Sequence, residues 1–177
     1  MIKHITHKPP RLHQDNALYF ITFCTYKREP LLHRKGIPEM LIDNLAFYGK
    51  RLKELIAYTV MPDHIHLLLD VVESKNLSAF LRDFKKFTSK EIKRTLDITN
   101  SHIWHGGSMD HCIRFSWTNN DLHNHLQYIF YNSWKHLNMT SKDFPFHNFI
   151  EVVEKGWLDI DFCAFDESVI VNRDIYE

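Results

Sequence analysis

The sequence has no net charge, no long apolar run, no internal repeat and only three cysteines in 177 residues. Each absence closes a class of answers. Cys24, Cys112 and Cys163 are scattered and odd in number, which predicts a reduced, cytoplasmic protein without a disulfide framework. No spacing among them suits zinc. No apolar stretch is long enough to cross a bilayer. The first ten residues, Met1 to Pro10, lack the apolar core of a signal peptide, so no membrane partner is expected. Zero net charge argues at first sight against a nucleic-acid ligand, but the charge is not spread evenly. Of 22 basic and 22 acidic side chains, two and eight fall in residues 151–177, so the first 150 residues carry six more basic than acidic groups. A basic body with an acidic tail points toward a polyanionic ligand.

What is present is an ordinary globular composition, 44% hydrophobic and 25% charged, at a length that suits one domain with a full core. Residues 1–16 are polar and read as an arm. Residues 17–158 read as the domain, and 159–177 as an acidic extension. Within the domain, Ala17 to Tyr26 is aromatic and β-branched, a strand pattern. Ile37 to Leu55 carries apolar residues at a helical period. Ile56 to Met61 and His64 to Val71 read as strands. A helix capped by Asn76 or Ser78 runs to about Leu96. Ile103 to Phe115 reads as a loop feeding a strand. Asn119 or Asn120 caps a helix from Asp121 to about Leu137. The order is βαββαβ with a further helix, so the fold class is α+β: a ferredoxin-like antiparallel sheet with an added C-terminal helix and an irregular acidic tail.

The stretch Tyr58 to Asp70 carries the first candidate site. Pro62-Asp63 is turn chemistry between two strands. Side chains alternate along a strand, so His64 and His66 share one face while Ile65, Leu67 and Leu69 take the other. Two imidazoles two residues apart can reach one ion, because neutral histidine is a common metal ligand. With 13 histidines in the chain, a chance pair on a half-exposed hairpin is the plain alternative.

The second constellation lies on the added helix. Tyr128 and Asn132 are four apart and share a face, which would set a nucleophile beside a metal ligand. Aromatic residues at this spacing are more often core. Tyr131 is a competing nucleophile, and His125 or His136 a competing ligand. The helix running to Leu96 has a basic face, including Lys85, Lys86 and Lys90, that is a candidate for DNA phosphates or a solvated surface. Trp104, Trp117 and Trp134 are candidates for stacking on unpaired bases, with at least one of them expected in the core.

Val60-Met61-Pro62-Asp63-His64-Ile65-His66-Leu67-Leu68-Leu69, followed by Tyr128-Ile129-Phe130-Tyr131-Asn132-Ser133-Trp134-Lys135-His136, resembles the motif pair of the HUH single-tyrosine transposases. The subgroup it most resembles is the REP-associated tyrosine transposases, whose helix reads Tyr-Ile-x-x-Asn-Pro-Val-Lys. Weaker similarities are Tyr19 to Phe23, Phe84 to Ser89, Asp110 to Arg114 and Phe149 to Trp157. The chain departs from the subgroup at Ser133-Trp134. The resemblance implies a single-stranded DNA nicking and strand-transfer enzyme. Tyr128 would be the nucleophile, giving a 5′-phosphotyrosine. His64, His66 and Asn132 would hold Mg²⁺ or Mn²⁺. Lys85, Lys86, Lys90, Arg114 and Lys135 would be DNA contacts. It also implies a single-stranded, hairpin-bearing DNA partner, and a monomer or homodimer. A domesticated DNA-binding module without turnover is the alternative that the departure permits. A metal phosphohydrolase is weaker, because it leaves Tyr128 idle.

Overall fold

The computed structural model describes residues 14–99, 102–113 and 121–163. Arg114, Trp117, the expected caps Asn119 and Asn120, and the acidic chain beyond 163 lie outside the described residues. The elements run β1 (Ala17–Cys24), α1 (Ile37–Gly49), β2 (Glu54–Val60), β3 (His64–Val71), α2 (Ser74–Leu96), β4 (Met109–Ile113), α3 (Asp121–Leu137) and α4 (Phe149–Glu154). The four strands form one sheet in the order β2-β3-β1-β4, and each neighbouring pair is antiparallel. This is the ferredoxin-like arrangement, with β1 and β3 in the centre.

The two faces of the sheet bury different layers. Tyr19, Ile21 and Phe23 of β1 join Ile65, Leu67 and Leu69 of β3 in one cluster. Leu41 and Leu45 of α1 and Phe80 and Phe84 of α2 close over it. Residues of the opposite parity, Leu18, Phe20 and Leu68, face a second cluster. That one is made by Leu126, Tyr128, Ile129 and Phe130 of α3 with Phe149 and Val152 of α4. Strand alternation therefore puts His64 and His66 on the α3 side, away from the crossover helices. They are not left open: His64 is 5% exposed and His66 2%, because α3 lies across β2 and β3.

Several boundaries differ from the sequence reading for physical reasons. α1 stops at Gly49 instead of continuing to Leu55. Leu52 and Leu55 still face the core, so their spacing imitated a helix across a turn and the start of a strand. α2 begins at Ser74, ahead of both Asn76 and Ser78. Its first backbone N–H donates to Asp15 Oδ1 at 2.7 Å, so the cap comes from 59 residues upstream, where no local pattern reveals it. Gln14 and Asn16, read as the end of an arm, bond Tyr19 and Val72. The chain after α3 is irregular, yet it contains α4, and Phe144, Phe149, Val152 and Leu158 are buried. Six residues of helix are too few to show a period. Trp104, a candidate base-stacking residue, is core: it is 8% exposed, packs on Phe23 at 5.1 Å and donates to Thr88 Oγ1 at 3.0 Å.

Candidate active site

β3 and α3 bring four side chains together, His64, His66, Tyr128 and Asn132, and β1 backs them. The β1–β3 register sets Thr22 opposite His66 and Cys24 opposite His64. Thr22 Oγ1 lies 2.7 Å from His66 Nδ1. From above, α3 presents Asn132, whose Oδ1 is 3.2 Å from His66 Nε2. Asn132 Nδ2 donates to the Tyr128 carbonyl at 2.6 Å, and this bond turns the amide oxygen toward the imidazole. The Tyr128 ring stands edge-on to His66 at 5.2 Å. The His64 and His66 rings are 4.7 Å apart. Phe20 stacks on His66 at 5.5 Å and meets Tyr128 edge-on at 5.8 Å, so the floor of the site is a core aromatic.

The electrostatics suit ligation. Burial, with the nearby His64 second, pushes the His66 imidazole well below its ordinary value, which keeps it in the neutral form that binds metals. His64 Nδ1 lies 2.6 Å from Asp63 Oδ1. A carboxylate can only accept, so Nδ1 carries a proton, and Nε2 is the atom turned away from Asp63, the second-partner arrangement that orients a ligating histidine. Asp63, read as turn chemistry alone, thus also braces His64. Burial opposes its charge, but the His64 and Arg28 contacts more than offset this and hold its carboxyl below the usual range. The donor set fits a cation on one further observation. The Asn132 Oδ1 accepts from His66 Nε2 at 3.2 Å, a separation close to that of two donors sharing an ion at roughly 2.1 Å each once the ring proton shifts to Nδ1, against Thr22 Oγ1.

Tyr128 is 7% exposed. Burial raises its phenol above the ordinary value, while the Asn132 hydrogen bond and the Arg28 charge act in the opposite direction. Of the competitors, His136 lies near the cluster, its ring 5.6 Å from His64. His125 faces elsewhere, stacking on His111 at 5.2 Å. Tyr131 is also buried, at 6% exposure.

The model of the IS200-like transposase family matches residues 13–132, about two thirds of the chain and a span that contains every one of these four residues. The chain belongs to the IS200-like transposase family. Among relatives, it is 34% identical over 119 residues to a Haemophilus influenzae protein named "Putative REP-associated tyrosine transposase". That match covers 59% of this chain and 66% of the relative, so it spans just under two thirds of that protein. A solved structure of a REP-associated tyrosine transposase bound to a REP hairpin shares the fold. The TM-score is 0.73, with 24% identity and 95% of each chain covered.

Within this IS200-like chain the expected DNA contacts fall into separate places. Lys135 stands exposed on α3, beside the site. Lys86 and Lys90 are exposed and Lys85 half-buried on α2, across the sheet from Tyr128. Lys85 bonds the Gly107 carbonyl and lies 4.8 Å over the Phe23 ring. Lys85 and Lys86, with Lys93, line a shallow groove against residues 102–107. The chain carries Ser133-Trp134 where the subgroup resemblance has Pro-Val. Ser133 is buried and bonds the Phe130 carbonyl at 3.1 Å, and α3 runs on past it to Leu137. His111, Asp121 and His125 form another group whose donor atoms lie within 4.8 Å of one another. It includes neither His64 nor His66, and it joins His111 of β4 to Asp121 and His125 of α3.

Proposed function

We propose that the chain nicks and rejoins single-stranded DNA through a 5′-phosphotyrosine on Tyr128. The observation that supports this is the cluster itself: a tyrosine, two imidazoles and an amide oxygen, drawn from β3 and α3, on the sheet face that the crossover helices leave to α3. His64, His66 and Asn132 would hold a divalent ion. Mg²⁺ prefers oxygen donors, so two nitrogens and one oxygen suit Mn²⁺ better. When bound, the ion supplies Lewis acidity toward a phosphate oxygen.

The residues do the rest. Tyr128 Oη forms a bond to phosphorus as the P–O3′ bond breaks. The phenolic proton leaves to solvent, and the departing 3′ oxygen takes one up, giving a free 3′-OH. The phosphodiester bond energy is kept in the tyrosine link, so a later attack by a DNA 3′-OH rejoins strands and returns the phenol. Phenol ordinarily ionises near ~10, and burial opposes ionisation further. The nucleophile is therefore dormant until the charged site and substrate are assembled. Asn132 links the two functions, one end of its amide on the Tyr128 backbone and the other facing His66. Lys85, Lys86, Lys90, Arg114 and Lys135 are proposed phosphate contacts. The proposed partner is hairpin-bearing single-stranded DNA, taken from the ligand of the structural neighbour. The protein would act as a monomer or homodimer. The scattered cysteines, odd in number, suit a reducing cytoplasm as the proposed location.

The test is a labelled hairpin-bearing single strand incubated with Mn²⁺ and resolved on a denaturing gel. The parent protein forms a covalent adduct. Tyr128→Phe keeps the ring, binds DNA at fixed salt nearly as well, and forms none. Tyr131→Phe retains it. An adduct that survives Tyr128→Phe but not Tyr131→Phe would reassign the nucleophile. DNA binding without any adduct in the parent would favour a binding module that has lost turnover.

A further inference from the structure

Tyr26–Arg28 forms a single turn after β1, and in it Lys27 and Arg28 both take left-handed backbone angles, with φ of 55° and 57°. Residues with a Cβ avoid this region, and two in succession persist only where the surroundings impose them. Here the surroundings do. Thr25 is fully buried, its N–H donates to the Asp63 carbonyl at 2.8 Å, and its hydroxyl donates to the Glu29 carbonyl at 2.8 Å. The Tyr26 N–H is held by the Ile103 carbonyl. The outcome of this strained turn is the position of one side chain. Arg28 Nη1 lies 3.3 Å from Asp63 Oδ2, while the other carboxylate oxygen bonds His64. The Arg28 charge reaches Tyr128, His66 and His136 as well.

Stability does not account for the arrangement. The Arg28 side chain is 61% exposed, and an exposed ion pair contributes little. Arginine is suited to something else: a planar fork of donors matches the oxygens of a phosphate. Resting on the function proposed above, we propose that Arg28 is the phosphate-binding arginine of the active site. Its guanidinium exchanges Asp63 for the non-bridging oxygens of the scissile phosphate, and Asp63 stays on His64. The exposed stem allows that exchange, and the strained turn holds the fork on Asp63, at the His64 end of the cluster. As Tyr128 Oη closes on phosphorus, negative charge grows on the non-bridging oxygens, and donors aimed there act mainly on the reaction step.

The experiment compares the parent, Arg28→Gln and Arg28→Lys for single-turnover adduct formation. Two substrates are used, an ordinary hairpin strand and one with a methylphosphonate at the scissile position, where a methyl group replaces one charged oxygen. Arg28→Gln should slow adduct formation on the ordinary strand by about 100-fold, a typical loss for a charge-stabilising donor, and Arg28→Lys should recover part of it. On the methylphosphonate the parent and Arg28→Gln should react within a few-fold of each other, because the charge that Arg28 meets has been removed. A role confined to bracing Asp63 and His64 would give the same deficit on both substrates, and that result overturns the proposal. So does an Arg28→Gln variant as fast as the parent on the ordinary strand. A parent that forms no adduct at all removes the transposase reading instead, and this one with it.

Discussion

Thr22 sets a single hydroxyl against the candidate site. It stands opposite His66 in the β1–β3 register, and its Oγ1 is 2.7 Å from His66 Nδ1. The contact fixes the ring's rotation and biases which nitrogen carries the lone pair. Thr22→Val keeps the branched shape and deletes the hydroxyl. We expect Mn²⁺ affinity to fall by about 10-fold or more, the usual cost of losing a partner behind a ligating histidine, with the fold retained. Calorimetry with Mn²⁺ on both proteins checks this, and equal affinities would remove the role. The shared face of the histidine pair was legible in the sequence because strand alternation is strict: Ile65, Leu67 and Leu69 take one parity after Pro62 and both histidines the other, although Leu68 on their side gave no sign that this face is buried as well. Tyr128 and Asn132 were legible as a pair because helix neighbours are fixed by spacing. Thr22 was not, since the partner of a β-strand residue depends on register between strands 44 residues apart. Arg28 was hidden for a different reason. A loop residue in a left-handed conformation has no period to read, and only the packing of Thr25 against Asp63 shows why it is held there.

At the scale of elements, Trp104 ties the segment before β4 to α2. Its Nε1 donates to Thr88 Oγ1 at 3.0 Å, and Thr88 itself donates to the Phe84 carbonyl at 2.7 Å. Thr88 is fully buried, and the Trp104 ring packs on Phe23 and Phe84. Thr88→Val preserves volume and strands the indole N–H without a partner. The expected cost is about 2 kcal/mol, that of leaving a buried donor unpaired. It would be read by denaturant unfolding at pH 7.5 with the slope unchanged; a shift of a few tenths would mean the indole finds water instead. The order of the elements from β1 to α3 was readable because β-branched and aromatic runs mark the central strands and a period near 3.6 residues marks the long helices. Boundaries were not, because they depend on distant bonds. The Asp15 cap places the start of α2, and Asn148 bonds the N–H of Tyr58 and the carbonyl of Ile56 in β2. The last of these ties draws the chain after α3 into the core, where composition alone suggested a tail.

For the molecule as a whole, the buried histidines set how it responds to acid. Burial lowers the imidazoles of His33, His66, His125 and His136, and it takes His147 to about 4 from an ordinary 6.5. His147 lies between Phe130, Phe144 and Phe149, the layer that joins α3 to α4. Between pH 6.5 and about 4 the unfolded chain binds a proton at this position and the folded chain does not. More protons in the unfolded state means stability that rises with pH. The contribution is therefore fully present above about pH 6.5 and is lost as pH falls through that window. A displacement of this size corresponds to about 3 kcal/mol for His147 alone, spread over the interval. The other histidines add in the same direction, so the comparison must isolate one. We expect the parent to lose stability steeply between pH 7 and pH 4.5 in denaturant titrations, and His147→Asn, which cannot charge, to lose about 2 kcal/mol less over the same range. His147 packs among Phe130, Phe144 and Phe149 and is not one of the proposed ligands, so Mn²⁺ binding at neutral pH should be unchanged in the variant. If parent and variant lose stability in parallel, His147 is not held neutral by its burial. The acid sensitivity would then belong to the histidines nearer Tyr128.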